Sequence, residues 1–212
     1  VSTEVPVSEA VYPVNLIVAG RRCVVIGGGR VAARKVAGLM DAGAVVAVIA
    51  TEVGEQIRTS GATWHERPYR IGDLDGAWLA ITATDSAAVN KQVHDDGEAA
   101  GVWVNAADDP PSCSFILPAV VRQGPITVTV GTGGHSPVLA SWLKEHVAGE
   151  LGPEVATFAL LLSEMRNRIK AQGRSTEEVD WRPVLNWSML AMIRAGQTAE
   201  VKERLEACLL SS

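Results

Sequence analysis

Two spacings of apolar residues divide the chain. Through about residue 105, short β-branched runs alternate with stretches of helical spacing. The runs read as strands over about 22–27, Val45–Ala50, Ala77–Thr82 and Val102–Asn105, with a further one at Thr63–Glu66 before the turn Arg67-Pro68. Between the first two, Val31, Val36, Leu39 and Met40 form the apolar stripe of a helix over about 31–42, and Gly43 supplies a left-handed stop. Ser86 is placed as the N-cap of a second helix over about 87–99. Strand-helix alternation of this kind predicts an α/β domain built on a doubly wound parallel sheet, whose ligands lie beyond the carboxyl ends of the strands. Those ends are Gly27–Gly29, Thr51-Glu52, Thr82–Asp85 and Asn105–Asp109.

The later pattern differs. Phe115–Val121 and Ile126–Val130 flank Gln123-Gly124-Pro125 and predict an antiparallel pair, with no room for a crossover helix. A sheet outside the parallel one invites pairing with another subunit. Ser136 as N-cap and Pro137 at the first helical position start a helix over about 138–148. From Pro153 the spacing is helical throughout: Phe158, Leu162, Met165 and Ile169 recur on one face, Gly173 breaks the run, and segments 184–193 and 199–210 follow. Trp181, Trp187 and the methionines are assigned to the core of this helical region. Tyr12–Leu16, ahead of the first strand, reads as an edge segment or loop.

Chemistry concentrates at the strand ends. Gly27-Gly28-Gly29-Arg30-Val31-Ala32 has the form G-x-G-x-x-A between a strand and a helix. Gly27 permits the turn, Gly29 lets a pyrophosphate approach bare backbone, and Ala32 lets the helix pack closely on the strand. Free N–H groups and the positive end of the helix then face the phosphates. Thr51-Glu52 falls about where a ribose-binding acid is expected, roughly 20 residues on. Asn105-Ala106-Ala107-Asp108-Asp109-Pro110-Pro111 puts two carboxylates past a strand end. Asp109 suits an Asp-Pro turn; Asp108, free of the proline constraint, is either part of that turn or a proton acceptor facing the cleft. The loop Gly131-Thr132-Gly133-Gly134-His135-Ser136 presents backbone N–H groups ahead of a helix start, a concavity suited to an anion.

Composition narrows the partners. With 24 Asp and Glu against 19 Lys and Arg, the net charge of −5 argues against non-specific nucleic-acid binding. No apolar run approaches the ~20 residues that span a bilayer, and the first residues lack the pattern of a signal peptide, so no membrane partner and a cytoplasmic location are expected. Cys23, Cys113 and Cys208 match neither a disulfide framework nor a metal motif and are read as reduced thiols. The four histidines, His65, His94, His135 and His146, lack metal-ligand spacing, so no permanent metal site is expected.

Five segments taken together resemble one family. Gly27–Lys35, Ala80–Asp85, Asn105–Asp108, Ser114–Pro118 and Gly133–Ala140, in order over about residues 12–150, are similar to the precorrin-2 dehydrogenase and sirohydrochlorin ferrochelatase family, that of the N-terminal half of sirohaem synthase. The resemblance implies a three-part homodimer: an NAD-binding Rossmann domain (1–114), a small α+β dimerisation segment (115–150) and a helical C-terminal domain (151–212). It implies NAD-dependent oxidation of precorrin-2 to sirohydrochlorin, and in many members insertion of Fe²⁺ to give sirohaem. Asp108 falls on the aspartate held to serve both reactions. Gly27, Gly28, Gly29, Arg30, Val31, Thr51, Glu52, Thr82, Thr84 and Asn105 fall on the cofactor side, and Thr132, Gly133, Gly134, His135 and Ser136 on the tetrapyrrole side. Arg122 and Lys144 are candidates for the tetrapyrrole's carboxylates. Thr132 stands where some members carry a serine. The methyltransferase domain of some sirohaem synthases has no counterpart in the sequence, so synthesis of precorrin-2 itself is not expected. Two alternatives stay open: a dehydrogenase without chelatase activity, and a non-catalytic NAD or tetrapyrrole sensor.

Overall fold

The computed structural model describes residues 11–107 and 109–210. The chain divides into two compact units: one runs to Leu117 and takes in Gly133–His135, and the other holds Pro118–Thr132 and the chain from Ser136 onward.

In the first unit, β1 (Arg22–Ile26), β2 (Val45–Ala50), β3 (Thr63–Glu66), β4 (Leu79–Thr82) and β5 (Trp103–Ala106) form one parallel sheet in the order β3-β2-β1-β4-β5. The expected doubly wound α/β architecture is therefore present. The chain winds outward from β1 to β3 and then returns to place β4 on the other side of β1, so the direction of winding switches between β1 and β4. α1 (Arg30–Asp41) covers one face with Ala32 and Val36 against Val25, Val46 and Val48. α3 (Ala87–Ala100) covers the other, where Val93 joins Val24, Ala80 and Val104. The four-residue α2 (Glu55–Arg58) leads to the edge strand β3. There Arg58 stacks on the Trp64 ring and pairs with Glu66 at 2.7 Å.

Two expectations shift in this unit. Val31 is exposed, and the buried stripe of α1 is Ala32 with Val36, because small Ala32 is what the close helix-strand approach admits. The strand expected from Phe115 begins instead at Ala119. Phe115 packs beside Leu16 against Cys23, Leu79 and Ile81, and Pro118 lacks the N–H a ladder needs.

The second unit opens with β6 (Ala119–Gln123) and β7 (Ile126–Val130), an antiparallel pair in which Ala119 faces Val130. Gly124 turns between them at φ +54°, and a side chain there would press on Ala156 at 2.7 Å. Four helices follow: α4 (Pro137–Glu150), α5 (Pro153–Ala171), α6 (Trp187–Arg194) and α7 (Thr198–Leu210). Their core joins Phe158 and Met165 of α5, Val184 from the segment before α6, Met189 and Ile193 of α6, and Val201 and Leu205 of α7. Trp181 packs on this core, whereas Trp187 is 74% exposed and does not belong to it. It stands at the first position of α6, directly after the Asn186 cap. Glu154, nearly buried at the start of α5, pairs with Arg194 at the end of α6, and that hydrogen bond holds its carboxyl below the usual carboxylate range.

Two stability predictions follow from packing and charge. Gly97 lies in the middle of α3, where alanine would ordinarily favour a helix by roughly 1 kcal/mol. A Cβ there would overlap Val104 Cγ2 and come within 3.0 Å of the Val102 carbonyl oxygen. Gly97→Ala is therefore expected to lower stability by a net ~1–2 kcal/mol, seen as a lower unfolding midpoint by thermal circular dichroism. Arg67 binds Asp73 through both carboxylate oxygens at 2.6 and 2.8 Å and holds its carboxyl below the ordinary value. That contribution is present above the unfolded-state value of about 4 and is lost as pH falls through the lower folded value. The stability gap between the wild type and Asp73→Asn should close on acidification below about pH 4.

Candidate functional site

The carboxyl ends of β1, β2 and β4 meet at the glycine turn. Ala83 N donates to Ile26 O at 2.7 Å, Gly27 N to Ile49 O at 2.9 Å, and Gly54 N to Gly28 O at 3.0 Å. Gly27 adopts φ +124°, and any Cβ on it would overlap the Ala83 carbonyl. A Cβ on Gly28 would overlap the Glu52 carbonyl oxygen. These two glycines are thus required by backbone packing alone. Gly29 differs: its φ of −84° is open to any residue, and nothing lies within 4 Å of where its Cβ would stand. Open space at this position is what a ligand needs to reach the backbone.

Gly29 caps α1 with no side-chain hydrogen bond, and the first intrahelical bond is Ala33 N to Gly29 O at 3.0 Å. The N–H groups of Arg30, Val31 and Ala32 therefore precede the helical ladder, at the positive end of a twelve-residue helix. Arg30 and Val31 are both exposed there. Thr51 and Glu52, exposed just past β2, adjoin the turn through the Glu52 backbone. Glu66, at the end of β3, is engaged by Val53 N and Arg58, which keep its carboxyl low in pKa. The arrangement fits the pyrophosphate of a dinucleotide, with Glu52 beside it.

The other strand ends serve more as supports. Thr82 is wholly buried, and its hydroxyl has no partner among the described residues. The Thr84 hydroxyl donates to Asn90 Oδ1 at 2.9 Å and accepts from Ser86 N at 3.2 Å, while Asn90 Nδ2 returns a bond to Thr84 O. Thr84 thereby fastens the turn from β4 into α3. Buried Asn90 escaped the sequence reading; its signal was an asparagine on the inward side of a helix, where only a specific partner justifies it. Asn105 is also buried, and its amide nitrogen donates to the Phe115 carbonyl at 2.9 Å. Asp108 lies outside the described residues. Asp109 holds the following 3₁₀ turn, Pro110–Ser112, through its carbonyl, which accepts from Ser112 N at 3.1 Å.

In the second unit, the Thr132 hydroxyl donates to Ser136 O at 3.1 Å and accepts from Ser136 N at 3.2 Å. Ser136 Oγ in turn accepts from Leu139 N and caps α4. Both hydroxyls are committed to the shape of this loop. Gly133 and Gly134 adopt left-handed φ values of 59° and 80°, and Gly134 and His135 are exposed. Arg122 and Lys144 are exposed as well. Among the described residues, no three His, Cys, Asp or Glu side chains gather as a metal site, the three cysteines form no disulfide, and no helix is long and apolar enough to cross a membrane.

An open parallel sheet with an uncapped helix start at its switch point defines a dinucleotide-binding domain. Residues 14–119 match the family model described as "Putative NAD(P)-binding", and the chain belongs to that family. Beyond this domain, the chain is 37% identical to the siroheme synthase of Nitrosococcus oceani over 93% of its own length and 43% of that protein's. It is also 37% identical to the siroheme synthase of Azotobacter vinelandii, over 90% of this chain and 42% of that one. The chain thus spans less than half the length of these curated relatives. Among solved structures, SirC, a precorrin-2 dehydrogenase, shares the fold with a TM-score of 0.74 at 22% identity, covering 93% of this chain and 100% of that one. These relatives bear out the resemblance drawn from the five segments.

The two kinds of glycine are separable by experiment. Gly29→Ala is expected to keep the wild-type unfolding midpoint but weaken NAD binding at least tenfold, read by NADH fluorescence titration. Gly28→Ala is expected to lower the midpoint itself, by roughly 2 kcal/mol or more.

Proposed function

We propose that this chain oxidises precorrin-2 to sirohydrochlorin with NAD⁺. The observation that carries the reading is the 37% identity to siroheme synthases along almost the whole chain. Open backbone at Gly29, in front of unladdered N–H groups, supports the nucleotide's place. Arg30, Val31, Thr51 and Glu52 would line it, and the acid at position 52 favours a free ribose hydroxyl over a phosphate, hence NAD over NADP.

Bound NAD⁺ supplies the two-electron acceptor. The oxidation removes two hydrogens from the macrocycle: two electrons and one proton go to the nicotinamide, and the other proton goes to a base. Asp108, two positions along the chain from the last residue of β5, is proposed as that base. Thr84 and Asn105 act on this view by holding the strand-end turns, since their polar groups are tied to Asn90 and Phe115. A tetrapyrrole with many carboxylates meets a chain of net charge −5, so its affinity must come from local donors. The proposed ones are the backbone of Gly133 and Gly134, the N-terminus of α4, His135, Arg122 and Lys144.

Fe²⁺ insertion into sirohydrochlorin is proposed as a second activity of the same site, with Fe²⁺ a substrate and Asp108 accepting pyrrole N–H protons. The segment 115–150 is proposed to pair two copies of the chain, between a nucleotide domain (1–114) and a helical domain (151–212). Support comes from α4, where Val138, Leu139 and Trp142 are 81%, 47% and 58% exposed.

Asp108→Ala is expected to reduce NADH formation from precorrin-2 by a factor on the order of 10² or more, followed at 340 nm under anaerobic conditions, with NAD affinity unchanged. Turnover near the wild-type rate would reject the base. Anaerobic sirohydrochlorin and Fe²⁺ should give the sirohaem spectrum faster with the protein than without it; equal rates would leave oxidation as the sole activity.

A further inference from the structure

The chain on either side of position 108 is held by a closed set of hydrogen bonds from residues 113–115. Ser114 behaves as an extra rung on β5: its N–H donates to Val104 O at 2.7 Å, and its hydroxyl accepts from Val104 N at 3.2 Å. Next along the strand, Asn105 Nδ2 donates to Phe115 O at 2.9 Å and reaches Cys113 Sγ at 3.6 Å. Cys113 lies at the centre. Its sulfur accepts from Ala106 N at 3.2 Å, and its S–H is shared between Ala106 O at 3.3 Å and Asp109 O at 3.4 Å. Ala107 N is tied separately to Thr82 O at 2.9 Å. The backbone is thus fixed at 106 and 107 before position 108 and at 109 after it.

This grip depends on the neutral thiol, because only S–H can donate to the two carbonyls. Burial pushes the Cys113 thiol up from its ordinary value, with the negative charge of Asp109 adding to the effect and the Ala106 N–H opposing it. The thiol therefore stays protonated at neutral pH. A turn that carries a proton acceptor must be held to within a fraction of an ångström, since misplacement by about 1 Å can cost two orders of magnitude in rate. Outside the short 3₁₀ turn Pro110–Ser112, hydrogen bonds to the backbone are what hold this loop in place.

We propose that Cys113 and Ser114, together with Asn105, are positioning residues that clasp the 106–113 loop and so set where the Asp108 carboxylate stands relative to the nicotinamide. The proposal rests on the reading of Asp108 as the base.

The test uses the full chain with precorrin-2 and NAD⁺, and compares Cys113→Ala, Cys113→Ser, Ser114→Ala and Ser114→Thr. Each variant is assayed for kcat, KM for precorrin-2, the acid limb of the pH-rate profile, NAD affinity and unfolding midpoint. Both alanine variants are expected to lower kcat by roughly ten- to a hundredfold at unchanged NAD affinity and little changed KM, with the acid limb displaced. Cys113→Ser and Ser114→Thr keep a donor and an acceptor and should recover most of the rate. The proposal is overturned if both alanine variants keep kcat within twofold of wild type. It is equally overturned if activity is lost only in step with NAD affinity or the unfolding midpoint, which would make these residues structural. Asp108→Ala assayed alongside separates the two readings: full activity in that variant removes the base itself, whereas an inactive Asp108→Ala beside fully active clasp variants removes only the clasp.

Discussion

The architecture of the nucleotide domain turns on the contact between bare backbone at Gly27 and Gly28 and the chain leaving the neighbouring strands. The carbonyls of Ala83 and Glu52 occupy the space any side chain at those two positions would need. This lets β1 end flush between β2 and β4, so that three strand tips and the start of α1 converge within one hydrogen-bonded knot. The only glycine of the three left with open space is the one at the helix start. Packing requires the first two of these adjacent residues and leaves the third free.

In each unit, turns are set by hydrogen-bonded polar side chains. Asn90 answers Thr84 at the entry to α3, Asn105 answers the Phe115 carbonyl past β5, and Thr132 answers Ser136 ahead of α4. Each is a short-range device that fixes the chain where it leaves regular structure, and a buried polar group left unpaired would cost about 1–3 kcal/mol. Such turns are stiff because both partners are satisfied. Several residues near the strand ends thus hold the turns they stand in. Wholly buried Thr82 differs, since its hydroxyl has no partner among the described residues.

The helical unit is built on different terms. Its core draws two residues from each of three helices and one from the segment before α6, and the buried carboxylate of Glu154 is paired with an arginine from another helix. Breaking such a pair from one side is costly because the remaining charge has lost its compensation. The exposed apolar residues of α4 stand apart from this core and leave one surface of the unit suited to burial in an assembly.

The sequence alone determined the order of the elements apart from the four-residue α2, together with the parallel sheet, the antiparallel pair and the glycine turn. Periodicity of two or 3.6 residues and the backbone demands of glycine and proline are local properties. β2 and β3 carry the very bounds their apolar and β-branched residues suggested, and Ser86 and Ser136 cap the helices they precede. The resemblance to siroheme synthases was likewise legible, because five short segments keep their spacing. Only the tertiary structure decided that Val31 stays outside the buried stripe of α1, beside the Ala32 already read as facing the strand, and which tryptophan is core, keeping Trp181 and releasing Trp187. It alone brought Ser114 beside Val104 and Cys113 beside Ala106. Contacts across eight or ten residues of irregular chain follow no period, so they exist only once the loop has closed on the strand.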